Sequence, residues 1–191
     1  MYEITVKTFS APIIRKNEIL RFAKVKHPTE EISNLLNEVI GLCESELEYK
    51  VCFAVLPLEI KENLCDFSCF SLKSKNLSEN LSSSKEAVVF AATLGAKIDR
   101  LINKYSRISP SKALLIDAFA TERIEALCDE FTNSLNFKTS PRFSAGYGDL
   151  KIENQKEIFA FLNPSKHIGL TLNESLTMSP SKSVTAFMGI V

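Results

Sequence analysis

Tryptophan is missing from this sequence, and histidine occurs only at His27 and His167. Two histidines without a C-x2-C thiolate pair leave too few nitrogen and sulfur ligands for a metal site. A metal site would have to be built from carboxylates alone, and a His-based catalytic triad lacks partners. No apolar run approaches the ~18 residues a membrane span needs. The N-terminus, Met1 to Val6, lacks the basic start and apolar core of a signal peptide and reads as a strand. The expectation is a cytoplasmic protein with no membrane partner. Net charge is absent too, with 23 basic and 23 acidic residues. Such a chain carries no electrostatic footprint for nucleic acid. The five cysteines, Cys43, Cys52, Cys65, Cys69 and Cys128, are odd in number. Four stand in apolar or amphipathic stretches, so free buried thiols are expected.

What is present fits a globular domain. The chain has 191 residues, 45% hydrophobic and 24% charged, which is enough for one unstapled core. Residues 1–191 are read as a single domain, with an N-terminal α/β portion at 1–108 and a second portion at 109–191. Glu3 to Thr8 alternates as a strand does. Asn17–Val25 and Glu30–Leu42 show helical spacing, and Thr29 caps the second. Tyr49–Leu56 and Glu86–Ala92 read as buried strands, and Leu64–Leu72 alternates as a third. Leu77 and Leu81 mark a short amphipathic helix within the polar stretch from Ser71 to Lys85. After Gly95, Ala96–Tyr105 reads as a helix. Pro110 then starts the longest helix, Ser111 to about Ser134. Its buried stripe is Ala113, Ile116, Ala120, Ile124, Leu127 and Phe131, with Leu115 and Phe119 on a second ridge. That helix is expected to sit centrally. Asn154–Leu162 is amphipathic, and Leu170–Leu172 and Ser183–Val191 read as strands. Strands and helices alternate without a strict β-α-β rhythm. The fold class expected is α+β, with a twisted, largely antiparallel sheet around a long central helix.

The segment from Arg142 to Tyr147 lies in a stretch with one proline and no periodicity. Pro141 fixes the backbone before the arginine, and Gly146 and Gly148 free it afterwards. A guanidinium offers a planar fork for a carboxylate or phosphate. Tyr147 adds a flat face for a base or a cation. Such a string also fits an ordinary surface turn. Asp149 reads as a cap for a turn or for the helix after it, Lys182 as a solvated turn residue, and His167 as exposed.

Further blocks follow in order. Arg142-x3-Gly146-Tyr147 precedes Leu172-x-Glu174-Ser175, then Met178-x-Pro180 and Ser183-Val184. Together they resemble the C-terminal activation domain of cobalamin-dependent methionine synthase. Ala118–Phe131, with Glu122 and Glu125, resembles that domain's central helix. The layout of the first ~110 residues is more like short, free-standing relatives of the domain.

The resemblance implies that S-adenosylmethionine binds here. It places Arg142 against the ligand, closes the pocket with Ala145, Gly146 and Tyr147, and lines it with Phe187, Met188 and Gly189. Met188 and Gly189 depart from the aromatic residues the family has there. The family's N-terminal acidic residue near the ligand amine has no counterpart. Glu122 and Glu125 are candidates for the ammonium, or plain helix acids. Glu122 interrupts the Leu115–Phe119–Ala126 ridge, so partial burial is expected. Glu174 either touches ligand or holds its loop through backbone N–H groups. The implied role is an accessory one without catalytic residues of its own. This chain would present S-adenosylmethionine for reductive remethylation of cob(II)alamin on a separate cobalamin-dependent methionine synthase. Flavodoxin or ferredoxin would be the reductant. No D-x-H-x-x-G string for cobalamin is present, so cobalamin would enter only through the partner. A sensor, or a scaffold with a vestigial pocket, remains an alternative. No G-x-G-x-G follows the first strand, against a Rossmann-type methyltransferase.

Overall fold

The computed structural model describes residues 2–191. In chain order the elements are β1 (Thr5–Thr8), α1 (Lys16–Phe22), α2 (Glu30–Cys43), β2 (Lys50–Pro57), β3 (Glu59–Lys61), β4 (Leu64–Asp66), β5 (Ser71–Lys73), α3 (Lys75–Leu81), β6 (Glu86–Thr93) and α4 (Lys97–Ile108). There follow α5 (Pro110–Asn133), α6 (Gln155–Leu162), α7 (Pro164–Ile168), β7 (Thr171–Leu172), β8 (Met178–Ser179) and β9 (Ser183–Gly189).

The main sheet has four strands in the order β1-β2-β6-β9, every pair antiparallel. Strands from both portions of the chain therefore share one sheet. Its two central strands are apolar on both faces, and the strand period of two divides them cleanly. Val51, Phe53, Val88 and Phe90 join Ile116, Phe119 and Phe131 of α5 in one core. Cys52, Ala54, Val89 and Ala91 join Leu77 of α3 and Ile158 and Leu162 of α6 in the other. Helix α5 thus covers one face while α3, α6 and α7 cover the opposite one. The fold is α+β with an antiparallel sheet and a 24-residue central helix. Among the described residues, no helix is long and apolar enough to cross a membrane.

Thr29 caps α2, accepting from the Ile32 amide at 3.3 Å, as the sequence predicts. The first strand is shorter than expected. It begins at Thr5, Tyr2–Ile4 carry no regular structure, and Met1 lies outside the described residues. The single strand expected over Leu64–Leu72 is instead two, β4 and β5, paired as a hairpin. Ser68 adopts φ +66°, Asp66 accepts from its amide at 2.8 Å, and the chain reverses there. Cys69 falls on that turn and is exposed, whereas the other four thiols are buried.

Candidate functional site

Strand β9 forms one edge of the main sheet, and the loop after α5 runs along its C-terminal half. Phe143 and Phe187 exchange two backbone hydrogen bonds of 2.9 and 2.8 Å, and the Ser140 amide donates to Gly189 at 2.8 Å. The pairing stops at Phe187. Alternation then turns the backbone groups of Thr185 outward, toward an open groove. That groove has a volume of about 630 Å³ and is lined by Glu125 of α5, Arg142 and Tyr147 of the loop, Gln155 of α6, Leu176–Met178, and Ser183–Thr185 of β9. The size falls within the range of small-molecule sites.

Two anchors hold the loop in shape. The Phe143 pairing is one. The other is Asp149, which accepts from the Ser74 hydroxyl at 2.5 Å and from the Lys75 and Asn76 amides at 2.7 and 3.1 Å. Asp149 therefore caps α3, across the fold, and not a helix following it in sequence. These donors hold its carboxyl below the usual carboxylate range, with the Ser74 hydrogen bond the largest cause. Gly148 takes φ +54° where a Cβ would collide with the Asn76 side chain, so a glycine is needed for this close approach. Between the anchors Gly146 turns at φ +91° and its amide donates to Leu150 at 2.8 Å.

Arg142 stands on the groove wall facing α5. Its Nη2 meets Glu125 at 2.8 Å and its Nη1 meets Asp129 at 2.9 Å. Asp129 also meets Arg15 at 3.5 Å, and Arg15 meets Glu122 at 3.0 Å. Glu122 and its neighbour Arg123 are both fully buried and paired at 2.5 Å. Arg123 further donates to the Pro12 and Ile13 carbonyls at 2.5 and 2.8 Å. Three guanidiniums thus face three carboxylates in one continuous network. Arg15 is pushed above its ordinary value, chiefly by the hydrogen bond to Glu122.

Of the residues singled out in the sequence, Arg142, Ala145, Tyr147 and Glu125 meet at this groove. Gly146 shapes the loop between them. Glu122 does not line the groove, because Arg15 and Arg123 occupy both its oxygens. Phe187 and Met188 are buried on opposite sheet faces. Phe187 stacks on Phe67 with ring centroids 5.2 Å apart. Gly189 leaves room for Ser84, which a Cβ would strike. The last strand reaches the groove through Ser183, Val184 and Thr185, ahead of the three residues expected. Glu174 is exposed, and Asn173 holds that loop in its place, accepting from the Thr177 amide at 2.9 Å. Leu176, in the same loop, lines the groove at φ +61°, a strained backbone for a branched residue. Lys182 is no solvated residue: it meets Asp117 at 2.8 Å and Thr121 at 3.0 Å. His167 is half-buried.

One lining residue was missed. Gln155 is only 4% exposed. Its Nε2 donates to Thr185 Oγ1 at 3.3 Å, while its buried Oε1 has no partner among the described residues. The signal was available. Gln155, Ile158 and Leu162 form the buried stripe of α6, so an amide interrupts an apolar helix face.

No family model matches this chain, and no curated protein matches it. Among solved structures, the chain is similar to the MetH reactivation domain bound to AdoHcy, with a TM-score of 0.74 and 14% identity. The match covers 98% of this chain and 78% of that one. The two share a fold.

Proposed function

We propose that this chain, which shares the fold of a MetH reactivation domain, binds S-adenosylmethionine in the groove beside β9. The carrying observation is Arg142, fixed on the groove wall between Glu125 and Asp129. A guanidinium has five N–H donors, and these two contacts leave others for a ligand carboxylate. Glu125 stands beside it to receive an ammonium. The network of Arg15, Arg123 and Arg142 with Glu122, Glu125 and Asp129 is balanced in charge. A zwitterionic α-amino acid adds one charge of each sign and keeps that balance, whereas a simple anion or cation upsets it. Tyr147, 67% exposed at the groove rim, offers a ring face to a sulfonium.

The biological role proposed is accessory. The chain presents the methyl donor to a separate cobalamin-dependent methionine synthase during reductive remethylation, with flavodoxin or ferredoxin as electron donor. The methyl-transfer chemistry belongs to the partner's cobalamin, and this chain contributes placement. The groove's openness at a sheet edge supports such a presenting role.

Calorimetry with S-adenosylmethionine and S-adenosylhomocysteine tests the binding. Arg142→Ala is expected to weaken both by roughly 1.5–3 kcal/mol, the worth of a charged hydrogen bond. No binding by the wild type at millimolar ligand would overturn the proposal.

A further inference from the structure

Besides Arg142 and Glu125, the groove is lined by a buried amide, that of Gln155. Arg142 and Glu125 lie toward the face of β9 that α5 covers. Gln155 belongs to α6, whose Ile158 and Leu162 pack on the opposite face. The open edge at Thr185 runs between them. A ligand gripped by Arg142 and Glu125 therefore extends across the strand edge toward Gln155.

At that end the unpaired group is an acceptor. Gln155 Oε1 is buried without a partner, and its amide nitrogen is engaged by Thr185. Leaving a buried carbonyl oxygen unpaired costs about 1–3 kcal/mol, so such a group marks a place where a partner arrives. Gln155 and Thr185 both line the groove, so a ligand seated there lies next to the amide. Neither a carboxylate nor a sulfonium can supply the missing proton. An exocyclic amine or a ribose hydroxyl can.

We infer that Gln155 is a specificity-determining residue that reads the nucleoside end of the ligand, accepting a hydrogen bond from it through Oε1. This rests on the binding proposed above and adds a second recognition point to it. The two grips divide the ligand: Arg142 selects for an amino-acid tail, and Gln155 selects for a nucleoside carrying a hydrogen-bond donor.

The test is affinity measured with ligands that separate the two ends. S-adenosylhomocysteine carries both ends, and 5′-methylthioadenosine lacks the amino-acid tail. Gln155→Leu is expected to weaken both by about tenfold, the worth of one buried hydrogen bond. Arg142→Ala is expected to weaken S-adenosylhomocysteine while leaving 5′-methylthioadenosine unchanged. Gln155→Glu retains an acceptor oxygen there and is expected to recover part of the loss. The melting temperature of ligand-free Gln155→Leu is expected to stay close to that of the wild type, since the variant removes an unpaired buried acceptor and also the Nε2 hydrogen bond to Thr185. 5′-Methylthioinosine, which has a 6-oxo group in place of the amine, identifies the donor. Weaker wild-type binding of it points to the base amine; equal binding, with the same loss in Gln155→Leu, points to a ribose hydroxyl.

If the wild type binds S-adenosylhomocysteine and Gln155→Leu binds it equally well, the role of Gln155 is overturned and the ligand proposal stands. If the wild type binds neither nucleoside, both fall. A ligand-free Gln155→Leu that melts well below the wild type would make Gln155 a packing residue and also overturn the inference.

Discussion

Phe187 illustrates how a single side chain divides between packing and binding. Its ring is buried, stacked on Phe67 and tilted against Phe70 at 6.4 Å. Phe187→Ala is therefore expected to cost about 3–5 kcal/mol in urea denaturation, whatever it does to ligand affinity. Asp149 makes a different case, because its work is electrostatic. Its folded carboxyl lies below the ordinary range, so the unfolded chain takes up a proton first as pH falls. The stabilisation is complete above the unfolded value of about 3.9 and is lost as pH drops through the folded one. Asp149→Asn is expected to melt below the wild type at pH 7, with the gap closing in acid. The thiols are sorted by burial: Cys52 and Cys128 are each pushed up to about 12, and Cys43 to about 11. Burial raises the Cys69 thiol as well, but Cys69 alone is exposed, so a thiol reagent applied to the native protein is expected to label Cys69 first and the others only on unfolding.

Among the elements, α5 joins the core to the groove. Its apolar stripe was legible from spacing, because helical periodicity is local and a 24-residue repeat is long. The same holds for the two central strands. The Leu64–Leu72 hairpin was not legible, since alternation persists on both sides of a two-residue reversal. The ion network was equally hidden. Arg15 and Glu122 are 107 residues apart, and no local pattern announces such a pair. The sequence's expectation that Glu122 is partly buried was right in direction, and burial is complete. Arg123→Met is expected to destabilise by about 3–5 kcal/mol, because it breaks a fully buried pair and strands the Pro12 and Ile13 carbonyls. Arg15→Ala, at a half-exposed site and with Glu122 still paired to Arg123, is expected to cost less than that. Urea denaturation of the two variants separates the buried link of the network from its outer one.

For the whole molecule, the groove lies open along the unpaired half of the edge strand β9. A ligand bound there would keep one flank uncovered, which the proposed delivery to a second protein would use. The Arg142 loop alone read as easily as a surface turn. Its meaning depends on residues from α5, α6 and β9, which only the fold brings together. Added in trans to a cobalamin-dependent methionine synthase that lacks its own activation domain, the chain is expected to restore turnover when an electron donor and S-adenosylmethionine are both present. Arg142→Ala is expected to need a higher S-adenosylmethionine concentration for the same recovery, in proportion to its loss of affinity. Ligand binding by the wild type with no recovery of turnover would leave a sensor or scaffold as the reading. Recovery that is indifferent to Arg142 would detach the groove from the activity altogether.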